Sequence, residues 1–178
     1  MKEFFTSDHH FSHGSVLKFD MGRNFENVHE MNKHLINEWN SVVSEGDTVY
    51  HLGDLFWNKK AIITILNEYL NGDIVWILGN HDKLKDANKI KLACPKIKEI
   101  TYYKELKRNN IHLVLMHYPI QEWNRKHYGS IHLHGHSHGK CPIMKNRVDV
   151  GIDNIGYKPN LLEQLIEIVN KQNQLIEL

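Results

Sequence analysis

The stretch Asp73-Ile-Val-Trp-Ile-Leu-Gly-Asn-His-Asp82 decides how this chain is read. Residues 73–78 read as a short buried strand, apolar, aromatic or β-branched from Ile74 onward. Glycine at 79 lets the backbone turn sharply. An amide, an imidazole and a carboxylate follow at once. A neutral amide beside imidazole offers an oxygen ligand without excess charge. The unit is therefore a strand that ends in metal-ligand chemistry.

Working outward, the same construction recurs. Residues 2–6 read as a strand ending at Asp8-His9-His10, and residues 47–52 as one ending at Gly53-Asp54. Leu113-Val114-Leu115-Met116 ends at His117, and residues 130–134 end at Gly135-His136-Ser137-His138. At a strand end, Asp8 and His10 point the same way and His9 points away. Taken singly, each segment is also compatible with a turn or a satisfied core histidine. Five in one chain favour a single cleft at the strand ends. Such a cleft can hold two divalent cations, and two cations clamping a phosphate can break phosphate esters.

The intervening segments give the architecture. Val28, Met31, Leu35, Trp39, Val42 and Val43 recur at helical spacing over residues 28–43, with Asn27 and Glu30 as a capping arrangement. Residues 59–70 predict a second amphipathic helix with Ile62, Ile65, Leu66 and Tyr69 inward. The first half is thus β-α-β-α-β, which predicts parallel pairing. Residues 83–92 predict a short helix stopped near Cys94-Pro95. Strands at 97–103 and 111–116 predict a hairpin around Arg108-Asn109-Asn110, with further strands at 130–134 and 146–151 and a last helix at 161–170. The expectation is one α/β domain over residues 1–178, two packed sheets with helices outside.

Composition agrees with an ordinary globular domain: 178 residues, 41% hydrophobic, 24% charged, net charge +1. Nothing in the charge balance asks for a nucleic-acid or membrane partner. The unusual figure is 14 histidines, several beside glycine and aspartate. Two isolated cysteines, Cys94 and Cys141, predict no disulfide and a reducing compartment. With no secretory leader at Met1-Lys2-Glu3 and no bilayer-length apolar run, the expected location is the cytoplasm.

The five segments, in this order, resemble the motifs of the calcineurin-like metallophosphoesterase superfamily: Asp-x-His, Gly-Asp, Gly-Asn-His-Asp/Glu, His, and Gly-His-x-His. Asp8-His9-His10-Phe11-Ser12-His13 resembles a small bacterial and phage branch of it. The resemblance covers residues 5–138 by motif. It implies a four-layer sandwich, two mixed β-sheets flanked by helices. It implies one metal on Asp8, His10 and His138, a second on Asn80, His117 and His136, and Asp54 bridging both. The family usually has glycine before the lone histidine. Here Met116 stands there, which leaves ligation intact. The implied reaction is attack of a metal-bridging hydroxide on a phosphate ester, with His81 assisting the leaving group. The oxygen and imidazole ligands suit manganese, taken as the first choice, or iron, zinc or nickel.

Around these residues several roles stay open. Asp82 orients His81 or caps the following helix. Arg23 clamps a substrate phosphate or makes a surface ion pair. His13 faces substrate, supports a ligand or is exposed. Trp57 and Trp123 are assigned to core packing, with base stacking as the alternative. Residues 83–108 carry nine lysines and arginines against Asp86, Glu99 and Glu105, a solvated face or a nucleic-acid contact. The expected activity is a phosphodiesterase acting on a small phosphate ester, a nucleotide included. No cap or inserted domain is evident, so the cleft should be open. The competing readings are a metal-dependent nuclease on DNA or RNA and a binding scaffold without chemistry. The oligomeric state is not legible.

Overall fold

The structure is a computed structural model and describes residues 1–19 and 22–176. The first sheet holds β1 (Glu3–Thr6), β2 (Thr48–His51), β3 (Asp73–Ile77), β4 (Ile97–Thr101) and the short β9 (Asn160–Leu161), in the order β4-β3-β2-β1-β9. β1 to β4 are parallel and β9 is antiparallel to β1. The second sheet has the order β5-β6-β7-β8, from β5 (Tyr103–Arg108), β6 (Ile111–Met116), β7 (Ile131–His134) and β8 (Arg147–Asp149). β5 and β6 form an antiparallel hairpin, and β6, β7 and β8 are parallel.

Strand alternation builds two cores. Phe4, Val49, Ile74 and Trp76 face outward from the first sheet and pack with α1 (Val28–Asn40), α2 (Lys59–Thr64) and α3 (Leu84–Ala93). Phe5, Tyr50, Val75 and Ile77 face the other way and meet Leu113, Leu115, Leu133 and Val148 of the second sheet. Leu162, Leu165 and Val169 of α5 (Leu162–Ile176) join this inter-sheet core. A first sheet buried on both faces explains why its strands read as continuous apolar runs. The outer face of the second sheet is polar. There His132 meets Trp123 and the carbonyls of Val114 and Tyr118, so a loop covers it.

α1 begins where the capping pattern places it, with the Asn27 side chain accepting from the amides of His29 and Glu30. Two expectations are corrected. Residues 97–103 do not form one hairpin arm: 97–101 joins the first sheet as β4, and 103–108 is the arm paired with β6. β5 carries four charged residues, Lys104, Glu105, Lys107 and Arg108, as suits a sheet edge. Tyr69 is 52% exposed rather than inward. After α2 the chain widens into a π-helical turn at Ile65–Tyr69, with Leu70 N–H donating to the Ile65 carbonyl, and this extra residue rotates Tyr69 out of the apolar face. A one-turn helix, α4 (Ile152–Ile155), follows β8, too short to show a helical apolar period.

All ligand-bearing segments leave the carboxyl ends of parallel strands. The two sheets converge there. Ser7 at the end of β1 bridges Gly151 just after β8, and Gly135 N–H donates to the His117 carbonyl.

Candidate metal centre

Two groups of side chains converge at this edge. Asp8, His10 and His138 form one, and Asp54, His117 and His136 the other. Within each group the potential ligand atoms lie within 4.8 Å of one another. Asn80 belongs with the second, its Oδ1 being 2.8 Å from His117 Nε2 and 2.8 Å from His136 Nδ1. Asp54 stands between them, with Oδ2 3.8 Å from His10 Nε2 and 3.5 Å from His117 Nε2. The seven residues singled out in the sequence as ligands are therefore all in one place.

The backbone there is unusual. Asp8, His10, Asp54, His136 and His138 all have left-handed conformations, with φ of 62°, 50°, 54°, 69° and 47°. Residues other than glycine visit this region seldom, and such strain concentrates at functional sites. His9 does turn away, packing on Phe11 and Trp39 and bonding to His51 at 3.0 Å. Left-handed residues on either side of it, not strand alternation, set that direction. Close backbone approach is also required. A Cβ on Gly79 would overlap Asp54 Oδ1, and one on Gly135 would overlap Ser7 Oγ and Asp8 Oδ2.

Supporting hydrogen bonds fix the ligand rings. His117 Nδ1 bonds to the Leu52 carbonyl at 2.7 Å, which leaves Nε2 directed at Asn80 and Asp54. His138 Nδ1 bonds to Asp153 Oδ2 at 2.7 Å. Outer partners of this kind set the tautomer of a ligating imidazole. Asp149 accepts from Ser137 Oγ and the amides of Gly139 and Gly151, so it shapes the loop that carries His136 and His138.

Arg23 is buried. Its guanidinium bonds both oxygens of Asp153 at 2.7 Å and the carbonyls of Asp8 and His9. It is turned into the chain beneath the ligands, so neither a phosphate clamp nor a surface ion pair describes it. Asp82 is also buried. It accepts from the amides of Asp54, Leu55 and Gly79 and from the Trp76 indole. None of these bonds goes to His81, and α3 has no side-chain cap. Both expectations for Asp82 are corrected: it ties the second motif to the third, because four donors converge on a buried carboxylate. His81 is partly exposed, with Nε2 3.9 Å from Asp54 Oδ2. His13 is buried against Trp57. Trp123 packs inside, as expected, whereas Trp57 is 53% exposed at the rim of the site.

Sequence reasoning missed Asp149 and Asp153. The signal was available: Arg147-Val148-Asp149-Val150-Gly151 is another strand-type segment ending in glycine, with Asp149 and Asp153 on either side of that glycine.

Charge follows from burial. Burial pushes the Asp8 carboxyl up to about 7, against the charges of His117 and His138. Burial would lower the His117 pKa, but its bond to Asp54 and the nearby carboxylates raise it to about 9. Burial raises the Asp54 pKa, yet His117 and His10 outweigh that and hold it well below the carboxylate range. Burial takes His10 well below the ordinary imidazole value, so it is neutral. Both ring nitrogens of His10 are buried without a hydrogen-bond partner among the described residues. Neutral imidazole with orphaned nitrogens, beside carboxylate and amide oxygens, fits a divalent transition cation.

Comparison with known proteins agrees. The description "Calcineurin-like phosphoesterase superfamily domain" matches residues 1–152. An uncharacterised protein of Methanocaldococcus jannaschii, MJ1445, is 36% identical, the alignment covering 96% of this chain and 92% of that one. The Gene 66 protein of Mycobacterium phage L5 is 29% identical over 84% of this chain and 86% of its own. Among solved structures, the protein of unknown function AQ665 from Aquifex aeolicus superposes with a TM-score of 0.72 at 22% identity, covering 93% of this chain and 98% of that one. It shares the fold. Both the ligand geometry and the match over residues 1–152 lead to one statement: this chain belongs to the calcineurin-like phosphoesterase superfamily.

Proposed function

We propose that the protein is a binuclear metal-dependent phosphodiesterase. The observation that carries this reading is the convergence of two ligand groups on one carboxylate, Asp54. Asp8, His10 and His138 would hold one cation. Asn80, His117 and His136 would hold the other, with Asp54 shared. Bound there, two divalent cations supply Lewis acidity toward a phosphate ester and lower the pKa of water enough for it to serve as nucleophile near neutral pH. Manganese is the first choice, with iron, zinc or nickel as alternatives.

The chain's own residues do the rest. His81 donates a proton to the departing oxygen. It faces the cleft, and its backbone N–H donates to Asp54 Oδ1 at 2.9 Å, which fixes its position against the shared ligand. Arg23 and Asp82 act as positioning residues. Arg23 locks Asp153, and through it the His138 ring, to the backbone of Asp8 and His9. Asp82 fixes the loop of Asp54. A diester is favoured because the cleft is open and aromatic side chains flank it. Trp57 lies near His81, and Tyr118 lies against His117 and His136.

A nuclease acting through the basic stretch is not favoured. Lys96, Lys98, Lys104 and Arg108 are paired with Glu45, Asp73, Glu99 and Glu3. No helix among the described residues is long and apolar enough to cross a membrane. The test is turnover of a chromogenic phosphodiester and its monoester counterpart, with and without added manganese. Metal-dependent cleavage with the diester ahead supports the proposal. No cleavage of either ester with any divalent cation would leave a binding scaffold.

A further inference from the structure

We propose that the indole of Trp57 is a stacking surface for a nucleobase, so that the ester taken by this site is a nucleotide's. The inference rests on the phosphoesterase reading for what holds the phosphate. Trp57 follows Asp54 by three residues. Leu55 and Phe56 between them are buried, yet Trp57 is 53% exposed. The exposed indole is not loose. His13 lies flat against it, with ring centres 3.9 Å apart and planes within 4°. Phe19, 54% exposed, meets His13 edge-on. One part of the indole is thus fixed by stacking, and the rest is presented to solvent.

The indole stands between two hollows, both of which reach the metal centre. One, of about 880 Å³, includes His10, His13, Phe19 and His138. The other, of about 250 Å³, is bounded by Asn80, His81, Lys83 and the Lys59–Asp86 ion pair. His81 lines both. The Trp57 ring centre is 5.4 Å from that of His81, whose Nε2 is 3.9 Å from Asp54 Oδ2. One sugar spans such a gap, so a base on Trp57 leaves its phosphate at the ligand cluster. The amine of Lys83 and the Lys59–Asp86 pair offer donors and acceptors to the base edge. Every base has a π-face, so the platform selects for the presence of a base more than for its identity.

The test is equilibrium binding of adenosine monophosphate and of ribose 5-phosphate to the metal-loaded protein, by calorimetry. Removing a stacked aromatic costs about 5- to 150-fold in affinity for a base. The wild type should prefer adenosine monophosphate over ribose 5-phosphate by a factor in that range. Trp57→Ala should abolish the preference while leaving ribose 5-phosphate binding unchanged, and Trp57→Phe should retain much of it. Equal affinities in the wild type, a preference that survives Trp57→Ala, or equal losses for both ligands would overturn the inference. The last result would make Trp57 a prop for His13 and His81. Failure of the phosphoesterase reading looks different: the base preference would persist with no ester turned over.

Discussion

Replacing Arg23 with methionine should destabilise the protein well beyond an ordinary substitution. The aliphatic length is nearly kept, but the charge goes. The Arg23 and Asp153 side chains are 0% and 1% exposed, so the lost pair is fully inside. Two carbonyls, of Asp8 and His9, lose their donor as well. Removing one partner of a buried pair costs roughly 3–5 kcal/mol, because it strands the other charge. For a chain of this size each kcal/mol corresponds to about 2–4 °C in Tm, giving a fall of roughly 6–20 °C. Thermal unfolding should be followed with chelator present, so that metal binding does not mask the effect. Arg23→Met/Asp153→Asn should recover part of the loss, since the stranded carboxylate is gone. Burial raises the Asp153 pKa, but His138 and Arg23 outweigh it and hold it low. Its stabilising contribution is therefore present above the ordinary carboxylate pKa and fades as pH falls through the folded value. Without Arg23, Asp153 takes up a proton more readily. The gap between wild type and variant should then narrow as pH drops through the carboxylate range, near about 4. A Tm within about 2 °C of wild type, roughly a surface-substitution effect, would refute the reasoning.

Three other outcomes are expected. His81→Ala should retain metal, measured by elemental analysis, while turnover falls about 10²–10⁴-fold for esters with poor leaving groups and much less for good ones; equal losses would argue against proton donation. In the chain without metal, His117 is protonated below about 9 and Asp8 below about 7, so cations must displace protons. Metal affinity should rise from pH 6 to pH 9 with measurable proton release in calorimetry, and the acid limb of activity should move down with excess metal; a pH-independent affinity would count against these ligands. Changing Lys85, Lys89 and Lys91 together to glutamate should leave turnover of small diesters and long strands alike, whereas a salt-sensitive loss confined to long strands would revive the nuclease reading.

The parts legible in the sequence were those governed by local rules. Apolar runs ending in ligand-type residues located the strands, because a sheet buried on both faces leaves no alternation to obscure them. The five ligand-type segments could be picked out because each follows a strand, and the family resemblance then implied which seven of their residues ligate. What escaped depends on partners distant in the chain. Arg23 and Asp153 are 130 residues apart, and nothing near either position announces the other. Asp82 lies beside His81 in sequence, which suggested roles for it there, while its bonds reach back to residues 54 and 55. Trp57 looked like core because large aromatic residues usually are; only the three-dimensional cleft explains an exposed one. The π-helical turn after α2 has no sequence signature that separates it from an ordinary helix.

The left-handed backbone of Asp8, His10, Asp54, His136 and His138 sets stability against activity at this edge. A left-handed conformation costs a non-glycine residue on the order of 1 kcal/mol, and glycine avoids that cost. His136 makes no bond to a buried charge outside the cluster comparable to that of His138 with Asp153. His136→Gly should therefore relax the chain, so the metal-free protein melts higher while its hold on cations collapses. Alanine at the same position would not give this separation, since it keeps the strain and removes only the ligand. A search for thermostable variants that ignores turnover would therefore tend to erode the ligand loops first. Selection for stability alone would drift toward a folded, inert descendant with the same sheets and no chemistry.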